Sequence, residues 1–125
     1  MTALLQSGAS ARGTSHEITL RDSALAKDNI FIFPHDESGE SYDTKALFAV
    51  KQCDLVIAEV SEPATGQGLE LGWADVFGIP IVCLYQKDVH ISSSLRLVSK
   101  ALLQYKDTKD MIQKMQEAVS EYAKK

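Results

Sequence analysis

Residues 53 to 85 read Cys53-Asp-Leu-Val-Ile-Ala-Glu-Val-Ser-Glu-Pro-Ala-Thr-Gly-Gln-Gly-Leu-Glu-Leu-Gly-Trp-Ala-Asp-Val-Phe-Gly-Ile-Pro-Ile-Val-Cys-Leu-Tyr85. Leu55 to Val60 is an apolar run broken only by Glu59, the pattern of a strand covered on both faces. Gly66 and Gly68 predict a loop where the backbone turns sharply and a ligand can come close. A helix is predicted from about Leu69 to Phe77, with Glu70 in its first turn. Gly78 and Pro80 end it, and Ile79 to Tyr85 is a second buried strand. An unpaired buried charge is costly, so Glu70 is not read as core filling.

Outward from this segment, strands and helices alternate. Towards the amino terminus, residues 2 to 13 read as a short strand, with only Leu4 and Leu5 strongly apolar, or as a frayed end. Residues 14 to 27 are helix-compatible, Ile30 to Phe33 is a short strand closed by Pro34, and Asp36 to Ser41 is a polar loop. Ser41 or Asp43 caps a helix carrying Leu47 and Val50. Towards the carboxyl terminus, Ser92 to Ser94 open a helix with Leu95, Val98 and Leu102 on one face, and Leu103 to Tyr105 is a last short strand. From Thr108 onward Met111, Ile112, Met115, Val119 and Tyr122 keep helical register. The expected fold is a single α/β domain over residues 1 to 125. It is flavodoxin- or Rossmann-like, with three layers: a parallel sheet of about five strands and helices on both faces. In such sheets ligands bind beyond the carboxyl ends of the strands, where Glu70 and the glycines fall.

Bulk properties narrow the function. The net charge of -4 argues against non-specific nucleic-acid binding. Cys53 and Cys83 lie beside or within predicted strands and read as core residues, not as a disulfide or metal pair; no metal or cofactor is expected. Met1 to Arg12 has neither a basic leader nor a long apolar stretch, and no run approaches the ~20 apolar residues of a membrane span. A cytoplasmic location away from membranes is the expectation.

The motif Ala58-Glu59-Val60, Pro63 and Gly66-Gln-Gly68-Leu-Glu70-Leu-Gly72 resembles the nucleoside deoxyribosyltransferase family, most closely its small deoxynucleoside monophosphate N-glycosidase branch. The resemblance covers about residues 42 to 96. It implies cleavage or transfer at the N-glycosidic bond of a nucleoside or its 5'-monophosphate, with Glu70 as the nucleophile. Positive charge develops on the sugar carbon as that bond breaks, and a carboxylate can stabilise it or form a glycosyl ester. Ser10-Ala11-Arg12-Gly13 is similar to the branch's phosphate loop, so Ser10, Arg12 and Gly13 are candidate phosphate ligands. Thr65, Gly66 and Gly68 are candidate substrate contacts. Ser94 aligns with a serine that reaches the phosphate from a neighbouring subunit, which implies a homodimer or higher homo-oligomer with a shared site. His35 matches a histidine near the base. Each has a plainer reading: a basic residue near a terminus for Arg12, a helix cap for Ser94, an exposed loop residue for His35, a solvated first-turn carboxylate for Glu70. Trp73 reads as a packing or interface residue.

The pattern also departs from the family. Where the family carries an acid–base Asp on the preceding helix, this chain has Ala46; Asp43, one turn earlier on that face, is the substitute, or else a helix cap. Ala64 stands where the family has Ser or Asp, and Gln6 where it has an aromatic residue. Losing an acid–base partner removes roughly two to four powers of ten in rate. Slow catalysis and a nucleotide-binding or sensing module without turnover are therefore both carried forward. A receiver-like signalling domain is disfavoured, because the clear strands lead only to Glu62 and Lys87 and offer no acidic cluster.

Overall fold

A computed structural model describes residues 2–7, 30–32, 53–62 and 65–122. In chain order the elements are β1 (Thr2–Ser7), β2 (Ile30–Ile32), β3 (Leu55–Glu59), α1 (Thr65–Val76), β4 (Ile81–Gln86), α2 (Leu95–Val98), β5 (Ala101–Tyr105) and α3 (Thr108–Tyr122). The predicted helices over 14–27 and after Asp43, the loop 36–41 and Phe33 lie outside the described residues.

The five described strands form one sheet in the order β2-β1-β3-β4-β5, with every pairing parallel. Side chains alternate across it. Leu55, Ile57, Val82, Leu84 and Tyr105 face α3, where Met111, Met115 and Ala118 complete one core cluster. Val56, Ala58, Ile81 and Cys83 face the other way, against Leu71 and Ala74 of α1, with Leu95 and Val98 of α2 at the edge. Period-two alternation with both faces apolar explains why β3 and β4 read as continuous hydrophobic runs. The expected three-layer α/β fold is the observed one.

Local chemistry sets the boundaries. Gly78 has φ +75, Gly78 N–H donates to Asp75 O at 3.1 Å, and Ile79 N–H donates to Ala74 O at 2.9 Å. This is the Schellman closure of a helix, with a buried Ile79 just beyond it. Asp107 caps α3: Asp110 N–H donates to its Oδ1 at 2.7 Å, while Lys106 N–H donates to Asp110 Oδ2 at 3.0 Å.

Two expectations are corrected. The glycine loop before Glu70 is helix: α1 begins at Thr65, so Gly66 and Gly68 are helical and Glu70 lies in the second turn. Glycine is unfavourable in a helix interior but tolerable near its start, where the first amides have no intrahelical partner in any case. Leu102 is not on a helix face. The helix after the serines ends at Val98, and Leu102 sits in β5, which starts two residues earlier than predicted. Of the two readings of the amino-terminal segment, the strand is the observed one for residues 2–7. They pair on both sides, Ala3 with Phe31 and Leu55, so tertiary pairing overrides a poor strand signal.

Candidate functional site

The chain runs from β1 to β2 on one side and returns to β3 on the other, so the strand order reverses between β1 and β3. That switch point, at the carboxyl ends of the strands, is where open α/β sheets of this order hold ligands. Ser7 and Glu59 are register partners there.

The helix α1 rises from this edge over β3 and β4, with α2 on one flank. Glu70 is buried, at 7% exposure, so it is neither the solvated nor the first-turn carboxylate of the plainer sequence reading. The helix-end dipole acts within the first turn, and Glu70 lies beyond it. At 3.6 residues per turn, Gly68 and Gly72 each lie about 200° around the helix from Glu70, whereas Gly66, four residues back, shares its face. The described cavity of about 340 Å³ beside α1 agrees: it is lined by Gln67, Gly68, Leu71 and Gly72 with Ile91, Ser94 and Leu95, and Glu70 is not among the lining residues. The two glycines and the carboxylate, grouped in one cleft by the sequence reading, therefore belong to opposite flanks. Glu70 thus lies on a flank of α1 other than the one that lines this cavity.

Other expected site residues fall as follows. Ser94 is exposed on the rim of the α1–α2 cavity and makes no capping hydrogen bond; its own N–H donates to Ser92 Oγ at 3.3 Å. Its hydroxyl is thus not used as the cap that the sequence allowed. Thr65 opens α1. Trp73 packs against the cluster under α1. Ser10, Arg12, Gly13, His35 and Asp43, with Ala46 and Ala64, lie outside the described residues.

Sequence reasoning missed a polar cluster at the same edge. The Glu59 carboxylate accepts Ser61 N–H on Oε1 at 2.6 Å, and on Oε2 it accepts Ser61 Oγ–H at 3.1 Å and the Tyr105 hydroxyl. Ser61 Oγ accepts Gln86 N–H at 2.8 Å. On the α1 side, Gln67 Nε2 donates to the Glu59 main-chain oxygen at 2.7 Å. Burial, and then the neighbouring Glu59 carboxylate, raise the Tyr105 phenol well above its ordinary range, so it stays a neutral donor. Glu59 interrupting an apolar strand was the available signal; its partner Tyr105, 46 positions away, was not legible.

Similarity to known proteins points the same way. Over 37 residues the chain is 49% identical to the 5-hydroxymethyl-dUMP N-hydrolase of Mus musculus, covering 30% of this chain and 21% of that protein. Over 65 residues it is 34% identical to the putative 2'-deoxynucleoside 5'-phosphate N-hydrolase 1 of Syntrophotalea carbinolica, 43% of this chain and 46% of that one. The resemblance to the nucleoside deoxyribosyltransferase family, on the side of its small monophosphate N-hydrolases, holds. These matches span about half of the relatives' length or less; that with the Branchiostoma floridae 5-hydroxymethyl-dUMP N-hydrolase covers 56% of it. No protein-family model matches the chain. The structure of the Clostridium botulinum CMP N-glycosidase superposes with a TM-score of 0.67 at 21% identity, over 94% of this chain and 99% of that one, which establishes the shared fold. Among the described residues no helix is long and apolar enough to cross a membrane.

Proposed function

We propose that the protein hydrolyses the N-glycosidic bond of a 2'-deoxynucleoside 5'-monophosphate, with Glu70 as nucleophile. The observation that carries this reading is a buried carboxylate on α1, the helix that packs on β3 and β4 beside the β1/β3 switch point. The N-hydrolase names of the relatives similar in sequence supply the bond type.

In this mechanism a Glu70 oxygen attacks the anomeric carbon as the bond to the base breaks, and the base leaves with the bonding electrons and gains a proton. The resulting glycosyl ester is then opened by water, which returns the carboxylate and yields the free sugar phosphate. Asp43 is the proposed proton donor to the base. Ser10, Arg12 and Gly13 would cradle the phosphate, with Thr65 and Gly66 at the sugar and His35 near the base. Gly68 faces the α2 flank and drops to a supporting role. Ser94 would serve the site of a second copy of the chain, which its exposed, unused hydroxyl permits. A purine or pyrimidine base in place of water would make the same ester a transferase intermediate; the hydrolase names favour water.

The test is release of free base from a panel of deoxynucleosides and their 5'-monophosphates. Glu70→Gln is expected to lower the rate by roughly three powers of ten or more while monophosphates still raise the melting temperature. Stabilisation by monophosphates with no base release from the unaltered protein would instead identify the non-catalytic binding module that Ala46 and Ala64 suggest.

A further inference from the structure

We infer that Glu59, Tyr105 and Ser61 form a positioning unit that holds the start of α1, and through it Glu70, against the sheet edge. This rests on the glycosidase reading for what is positioned, but the unit itself is visible in the hydrogen bonds. Glu59 is the last residue of β3 and is used at both ends. Its carboxylate gathers the Tyr105 hydroxyl from the end of β5 and the N–H and hydroxyl of Ser61. Ser61 in turn is tied to the end of β4 through Gln86 N–H. The main-chain oxygen of Glu59 takes the amide of Gln67, a side chain 6% exposed in the first turn of α1. Glu70 follows Gln67 by three residues, one turn along the helix. Three strand ends and the helix that carries Glu70 are thus fastened through one residue.

The same geometry separates Glu59 from the reaction. By strand alternation its side chain lies with Leu55 and Ile57 on the α3 face, and it is bound to Tyr105 of that face's core cluster. The helix α1 and Glu70 lie across the sheet. Glu59 therefore acts through α1 and not on substrate. An apolar residue at 59 would suit a covered strand, but it would strip the Tyr105 hydroxyl and Ser61 N–H of this acceptor, and a buried donor left unmatched is costly.

The experiment compares Tyr105→Phe, Glu59→Leu and Glu59→Gln in the full chain, by hydrogen exchange and by base release. Tyr105→Phe and Glu59→Leu should speed exchange in the first two turns of α1 by roughly five-fold, the size of one lost hydrogen bond, with α3 nearly unchanged. The kcat should fall by a similar factor, with KM within about two-fold. Glu59→Gln keeps a carbonyl oxygen for Ser61 N–H, and its amide N–H can donate to the Tyr105 oxygen in place of the reverse bond, so it should restore most of both readouts. If Glu59→Leu does not fold, Ser61→Ala, which cuts the tie to Gln86, takes its place. Unchanged exchange in α1, or a uniform rise across α1, β4 and α3, would overturn the inference. So would a Glu59→Gln variant as slow as Glu59→Leu with an altered pH profile, since that would make Glu59 a proton-transfer group. If the unaltered protein releases no base, the glycosidase reading fails while exchange still decides the positioning unit.

Discussion

Three glycines of the 66–78 segment that look alike on paper do different work. Gly78 has φ +75, a conformation L side chains rarely adopt, whereas a Cβ at Gly68 or Gly72 would meet nothing within 4 Å. Neither of those two helical positions needs glycine for its own packing. Gly68→Ala and Gly72→Ala are therefore expected to stabilise the protein by up to about 1 kcal/mol each, raising the melting temperature by about 3–5 °C. Gly78→Ala should destabilise by about 1 kcal/mol or more. Thermal unfolding of the three variants checks the sign, and a fall for Gly68→Ala would mean that the flank beside α2 is occupied in solution. Glu70 and Gly68, two residues apart, were legible as chemistry-bearing positions; that they sit on opposite flanks follows only once both are known to be helical.

Among the elements, α3 was the most legible and α2 the least. The α3 stripe of Met111, Met115 and Ala118 is periodic in the sequence and buried in the fold. Its start is set by Asp107, whose Oδ1 takes the N–H of Asp110. Asp107→Ala should cost about 1 kcal/mol, measured as a shift in urea midpoint with unchanged slope. Asp107→Ser, which keeps a side-chain acceptor, should recover most of it. The helix α2 is only four residues long, because Lys100 N–H is already bonded to Ile81 O at 2.7 Å and draws the chain into β5. That long-range bond has no local signature, which is why Leu102 reads as helical from its spacing. The start of α1 was misplaced for the opposite reason: two glycines signal a loop locally, yet Leu71 and Ala74 anchor the helix to the sheet and carry it back to Thr65.

On the scale of the whole domain, two buried acids couple the fold to alkaline pH. Burial pushes the Cys83 thiol from 9.0 up to about 11, opposed in part by its hydrogen bond to Ser99. Burial and Glu59 raise the Tyr105 phenol above its ordinary 10.0. In each case the folded state keeps a proton that the unfolded chain gives up. Stability is thus full below the unfolded values and falls as pH rises, from about 9 for the cysteine and from about 10 for the tyrosine. The slope is at most about 1.4 kcal/mol per pH unit per group. Urea unfolding between pH 8 and 11 should show this loss, and Tyr105→Phe should flatten it above pH 10. An unchanged slope in that variant would mean that Tyr105 ionises as freely folded as unfolded.

Much of the architecture is implicit in the order of residues, because strand burial on two faces and helix burial on one leave hydropathy periods that need no partner to be read. Runs such as Leu55–Val60 and Ile79–Tyr85, and the stripe from Met111 to Tyr122, carry the layered α/β plan in that way. The motif around Glu70 carries the likeness to nucleotide N-hydrolases. Which side chains converge is another matter. The Glu59–Tyr105 contact, the flank on which Glu70 lies, and the β1/β3 reversal all arise from pairings between distant segments. Such pairings depend on how layers pack in three dimensions, and nothing in the local spacing of residues encodes them.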